Sequence, residues 1–221
     1  MDNKKKSRRS VLKLTGATAI GSTFIGTSAA ASSNKKKSDE TINTDFNPNN
    51  ESEVINFLTQ LSDFSVDEQR SIFENELNKE QQQAVIEGLQ PHDVEVKLIQ
   101  SEPVVSISSI GYRTQKAVYE VTTRDAAGKN LWRFAHRCIW DYNGSKVRNI
   151  SSTPIGQTNS PYWSYEGASG NVDNRNTYFI ANKQGRFKFC PFQIGCVASD
   201  EPMIEIRGQA DGTDTANSNF D

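Results

Sequence analysis

Histidine and cysteine are scarce in this chain, with two His and three Cys in 221 residues. A four-ligand zinc site would need nearly all of them together, yet His92 and His136 lie far apart and no Cys-x-x-Cys spacing occurs. No metal and no cofactor is therefore expected. Long apolar runs are missing too: no stretch of about 18 apolar residues occurs, so membrane contact is expected only during export. An excess of positive charge is also lacking. The formal net charge is −2, and six of the 25 Lys+Arg side chains fall in residues 1–31, leaving the remainder more acidic still. Without a basic stripe to track phosphates, nucleic acid is not an expected partner. Familiar enzyme signatures are missing as well, with no Gly-x-Ser-x-Gly elbow, Gly-Lys-Ser/Thr loop or His-Glu-x-x-His. Paired carboxylates for glycoside hydrolysis have no diagnostic spacing, so Glu120, Asp141, Glu166 and Asp173 remain candidates for a hydrolase site.

What is present begins with a leader. Lys4-Lys-Lys-Ser-Arg8-Arg9-Ser-Val-Leu-Lys13 is a basic region with paired arginines. Leu14 to Ile25 is an apolar stretch diluted by Gly and Thr, and Ser28-Ala-Ala-Ala31 offers a small-residue cleavage site. This resembles a twin-arginine (Tat) signal peptide over residues 1–31, cleaved after Ala31. Such a leader implies passage through the membrane in the folded state, to the medium or the cell surface. In many bacteria that route carries cofactor-loaded proteins, but haloarchaea use it generally, so no cofactor follows. No Cys lies near the cleavage site, which excludes a lipid anchor of the bacterial type.

Residues 32–50 read as a disordered spacer rich in Ser, Asn, Lys and Thr. Residues 51–93 form an acidic segment with helical spacing. Val54, Phe57, Leu58 and Leu61 share one face, and Ser65-Val-Asp-Glu68 is a capping box opening a helix with Gln69, Ile72, Phe73 and Leu77. Asn78 with Gln81 marks a further start, leading into Ala84, Val85, Ile86 and Leu89 before Gly88 and Pro91 end the pattern. Two or three short helices cannot bury a core alone, so they must dock on something or act as a detachable pro-segment.

From Val94 the period changes to two. Val94–Leu98, Val104–Ile110, Ala117–Val121, Leu131–Tyr142, Val147–Ile150, Tyr162–Tyr165, Thr177–Ile180, Gly185–Phe189 and Met203–Arg207 all read as strands. The expected fold is mainly β, an antiparallel sandwich or open barrel of about eight or nine strands over residues 94–210, preceded by the helical segment. Residues 211–221 are polar and expected to be a flexible tail.

The strand Leu131–Tyr142 organises this plan. Asn143-Gly144 predicts a two-residue type I′ turn, opposing Tyr142 to Ser145, Asp141 to Lys146 and Trp140 to Val147. One face then carries Trp132, Phe134, His136, Cys138, Trp140 and Tyr142 as a core stripe. The other mixes Leu131, Ala135 and Ile139 with Arg133 and Arg137, which suggests a cover of acidic helices over that face.

His136 and Cys138, two residues apart on one face, could form a thiolate–imidazole pair, although Phe134 and Trp140 flank them and a buried Cys is usually an inert small hydrophobe. Tyr162, Trp163 and Tyr165 could present flat faces to a carbohydrate, peptide or cell-envelope ligand, or could simply fill the interior. Asn50, Asn143 and Asn149 each begin an Asn-x-Ser sequon and are candidate glycosylation sites. Cys190 and Cys196 read as a disulfide in an exported chain, contributing about 2 kcal/mol, though pairing of Cys138 with either remains open.

Trp140-Asp-Tyr-Asn-Gly144, Trp163-Ser-Tyr-Glu-Gly167, Gly185-Arg-Phe-Lys-Phe-Cys190 and Cys196 together resemble a pattern in exported proteins of archaea and Gram-positive bacteria. Those proteins carry a leader, a variable N-terminal part and an aromatic β-rich C-terminal region. The resemblance covers roughly residues 115–210. It implies the β domain and the Cys190–Cys196 bridge, and it brings no activity with it. The first functional expectation is thus an exported, non-enzymatic surface or secreted β-sandwich protein. A secreted effector or antimicrobial polypeptide with residues 32–93 as pro-segment is the second, and a hydrolase is the third.

Overall fold

The computed structural model describes residues 42–104 and 111–220. The leader with Arg8, Arg9 and Ala31, and the strand expected after Val104, lie outside the described residues. Three helices come first: α1 (Glu51–Leu61), α2 (Val66–Asn75) and α3 (Lys79–Gly88). Each starts where a side chain satisfies orphan backbone N–H groups. Asn50 accepts from Ser52 N, while Ser65 with Glu68 and Asn78 with Gln81 form reciprocal capping boxes. The expected apolar faces are the buried ones, with Val54, Phe57, Leu58, Leu61, Ile72, Phe73 and Val85 all in the core.

Among the described residues, ten strands in two antiparallel sheets follow, without barrel closure. The first sheet is a meander, β1 (Asp93–Val104), β2 (Arg113–Arg124), β3 (Asn130–Tyr142) and β4 (Val147–Thr158). The second is ordered β10-β9-β7-β5, built from β5 (Trp163–Ser169), β7 (Tyr178–Phe189), β9 (Met203–Gln209) and β10 (Asp214–Ser218). Two three-residue strands, β6 (Val172–Asn174) and β8 (Ala198–Asp200), also pair with β7, which is the spine of that sheet. The stretches expected at Thr177–Ile180 and Gly185–Phe189 belong to one continuous strand, β7, whose pairing, with β9 and then with β5, runs unbroken through residues 181–184.

The predicted stripe of β3 is the centre of the core. Trp132, Phe134, His136, Cys138 and Trp140 are fully buried against Phe179, Phe187, Ile204 and Ile206 of the other sheet. Trp132 stacks on Phe187 with ring centroids 4.5 Å apart, and Trp140 meets Phe179 edge-on at 5.2 Å. Glycines set how closely the sheets approach. A Cβ on Gly208 would lie 2.3 Å from the Phe179 ring and 3.0 Å from Trp140. Gly208→Ala should therefore overpack the core and cost about 1–3 kcal/mol in urea unfolding. An unchanged midpoint would show that these rings do not press on β9.

The β3–β4 turn departs from the predicted register. Tyr142 opposes Val147 and Asp141 opposes Arg148, a two-residue shift that preserves the faces. The cause is local. Asn143 does not adopt a positive φ; its Oδ1 accepts from the backbone N of Ser145 and Lys146, making an Asx-type four-residue loop. Asn149, with φ of 50°, then sits in a bulge opposite Trp140, beyond which the register moves one residue further, so that Ile139 opposes Ser151.

Three further expectations are corrected. Residues 42–50 are not a free spacer: Phe46 is buried against Phe57, and Gln81 donates to the carbonyls of Thr44 and Phe46. The polar tail is not frayed, because Asp214–Ser218 pairs with β9. Nor do the helices cover Arg133 and Arg137. Arg133 is turned to Glu120 and Gln157, with 43% of its side chain exposed. The helices cap one end of the sandwich instead. Ala126 N donates to Gly88 O, Trp163 Nε1 to Leu89 O, and Arg70 to Gln193, and helices and sheets share one hydrophobic core. That end gathers the β2–β3, β4–β5 and post-β7 turns, which bring Ala126, Tyr162 and Phe192 against the helices.

Candidate functional site

His136 and Cys138 do come together, with Cys138 Sγ 3.4 Å from His136 Nε2. The chemistry nevertheless runs opposite to nucleophilic activation. Burial pushes the Cys138 thiol up to about 12 and the His136 imidazole down to about 4, so both are neutral near pH 7. The tautomer follows from the partners. Nδ1 lies 3.0 Å from the carbonyl of Ile204, which can only accept, so Nδ1 holds the proton. Nε2 then accepts from Ser152 Oγ at 2.9 Å. His136 is thus a cross-sandwich tie between β3 and β9, and both residues are fully buried.

The cysteines pair as Cys190–Cys196, with Cα atoms 3.9 Å apart, and Cys138 is the free thiol. The bridged loop presents Phe192, whose ring stacks on Phe73 at 4.0 Å and lies 4.6 Å from Tyr162. Tyr162 and Trp163 are buried in this helix–sandwich seam; Tyr162 Oη donates to Gln69, and Trp163 stacks on Phe189. Neither offers an open face to a ligand. Tyr165 is half-buried, lying over Gly156 and tilted against Phe187.

The four candidate carboxylates do not converge. Glu120 faces Arg133 on the outer sheet surface, and Asp141 is held by Thr114 and Asn149 near the other end of β3. Asp173 pairs with Arg175. Glu166 borders a shallow depression of about 200 Å³ with Glu201, but each is engaged by its own cation, Lys188 at 3.0 Å and Arg186 at 3.1 Å. Among the sequon asparagines, Asn50 Nδ2 donates to Glu53 and Asn149 Nδ2 to Asp141. Asn143 is exposed at the loop tip and uses its Oδ1, leaving the amide nitrogen outward. No cluster of three or more His, Cys, Asp or Glu side chains suited to a metal occurs among the described residues.

A larger concavity lies between the open edges of the two sheets. A groove of about 510 Å³ runs between β1 and β10, in the size range of small-molecule sites. It opens because β10 has five residues against twelve in β1, so the inner face of β1 outruns its cover. Val96 and Leu98 line one wall, and Ile204 and Ala216 the other. At its base Asp214 accepts from Tyr119 Oη at 2.7 Å and from Ser101 Oγ at 2.6 Å. Burial, followed by the hydrogen bond and charge of Asp214, raises the Tyr119 hydroxyl above its usual range. None of these three polar residues stands out in the sequence. The one available signal is Asp211-Gly212, a turn dipeptide that closes β9 onto β10 with φ of 90° at Gly212. No family model, curated protein or solved structure matches this chain.

Proposed function

We propose that this is an exported protein, secreted or held at the cell surface, that acts by binding a ligand rather than by catalysis. The observation that carries the reading is the separation of reactive groups from concave surface. The thiol and imidazole are sealed in the core, whereas the β1–β10 groove holds a carboxylate ordered by neutral hydroxyls. An exported location is supported by the Cys190–Cys196 bridge, typical of an oxidising compartment, and by the paired-arginine leader. The seam of Phe73, Phe192, Tyr162 and Trp163 argues against residues 32–93 being a released pro-segment, since release would uncover these rings.

Export is tested by replacing both Arg8 and Arg9 with Lys and fractionating cells. The wild-type chain should be recovered outside the cytoplasm, and the double variant should stay inside as an unprocessed precursor. Undiminished secretion of the variant would refute the Tat assignment.

A further inference from the structure

We infer that the β1–β10 groove takes a small organic cation, an ammonium group on a short apolar body, with Asp214 as its counter-charge. This rests on the reading of the chain as a binding protein and names the ligand class of that same groove. Gln115 Nε2 donates to Ser101 Oγ at 3.1 Å, so the Ser101 proton is directed to Asp214 Oδ1, while Tyr119 Oη donates to Oδ2. A carboxylate offers about four acceptor sites, and here two are used, both by neutral donors.

The charge of Asp214 is therefore held in place by neutral donors, and Lys183, the cation of β7 that acts on His136 and Cys138, makes no direct ion pair with it. Among the described residues no Lys, Arg or His forms an ion pair with it. Lys97 borders the groove, but its ammonium is committed to Glu95 at 2.6 Å. Val96, Leu98, Ile204 and Ala216 give the groove apolar patches among hydroxyl-bearing residues such as Thr213 and Ser218, and Leu98 is 42% exposed. A fixed carboxylate beside apolar patches favours a ligand carrying a positive head and a short hydrocarbon body. An anionic ligand would meet like charge, and a neutral one would forgo the charge-assisted hydrogen bond. The site is preorganised, since all three polar groups sit on paired strands.

The test uses the full mature chain with its disulfide intact, titrated with n-hexylammonium, hexanol and hexanoate at low ionic strength and neutral pH. Binding is read from backbone resonances of Leu98, Ile204 and Ala216. Hexylammonium should bind about tenfold or more tightly than hexanol, with hexanoate weakest. Asp214→Asn should bring hexylammonium down to the level of hexanol. Because that variant could disturb β10, salt provides a second arm on the unaltered chain: added NaCl should weaken the ammonium and leave the alcohol unchanged. Equal binding of hexylammonium and hexanol would overturn the cation inference while leaving the groove as a binding site. If none of the three probes moves these resonances, both the inference and the groove's role fall.

Discussion

Phe192→Ala is expected to lower the unfolding free energy by about 3–5 kcal/mol, in a single cooperative transition in guanidinium. The ring is almost wholly buried between Phe73 of α2 and Tyr162 of the sandwich, so truncation opens a cavity shared by two layers. Phe192 and Gln193 also hold positive φ values of 48° and 59°. Such conformations cost on the order of 1 kcal/mol or more for residues other than Gly, and ring burial is what offsets that cost here. Phe192→Leu keeps part of the apolar volume and should cost clearly less. If the helices were an appendage, the alanine variant would lose under about 1 kcal/mol, or show two separate transitions.

Acid should destabilise the protein through His136. Its imidazole titrates at about 4 when folded, against an ordinary value of 6.5, because burial disfavours the cation. The unfolded chain therefore binds the proton more tightly. The His136 contribution is fully present above pH 6.5, declines as pH falls from 6.5 toward 4, and levels off below that. The total loss is on the order of 3 kcal/mol. Burial also raises the Asp125 and Asp200 carboxyls above their ordinary value, so the comparison with His136→Gln isolates the histidine effect. A glutamine can donate to Ile204 O and accept from Ser152 without titrating. The difference in stability between the two proteins should narrow as pH drops through the window. A constant difference would mean that His136 is accessible to protons in the folded state.

Local chemistry is where sequence and structure agree best. Both capping boxes close within four residues, and the β3 stripe follows from alternation alone, so neither depends on distant parts of the chain. The turn after β3 departs from the Asn-Gly expectation because Asn143 satisfies the loop with its side chain rather than with a positive φ, which shifts the pairing by two residues. Placement of the helices was not legible, since it rests on contacts such as Gln69 with Tyr162 and Arg70 with Gln193, made between residues 93 and 123 positions apart. The groove was least legible of all. Ser101 and Asp214 meet across 113 residues, and their cavity arises from a mismatch in strand length that no motif encodes.

We propose that the chain is exported with its helical layer and sandwich held together, the Cys190–Cys196 bridge closing the loop that packs against α2. The intact mass of the protein recovered from medium and cell surface, with thiols blocked but not reduced, tests it most directly. We predict a single species beginning at Ser32, lighter by the two hydrogens of one disulfide, in which Cys138 is blocked only after denaturation. A species beginning near residue 93, or a cytoplasmic chain with three thiols open to the blocking reagent, would contradict it.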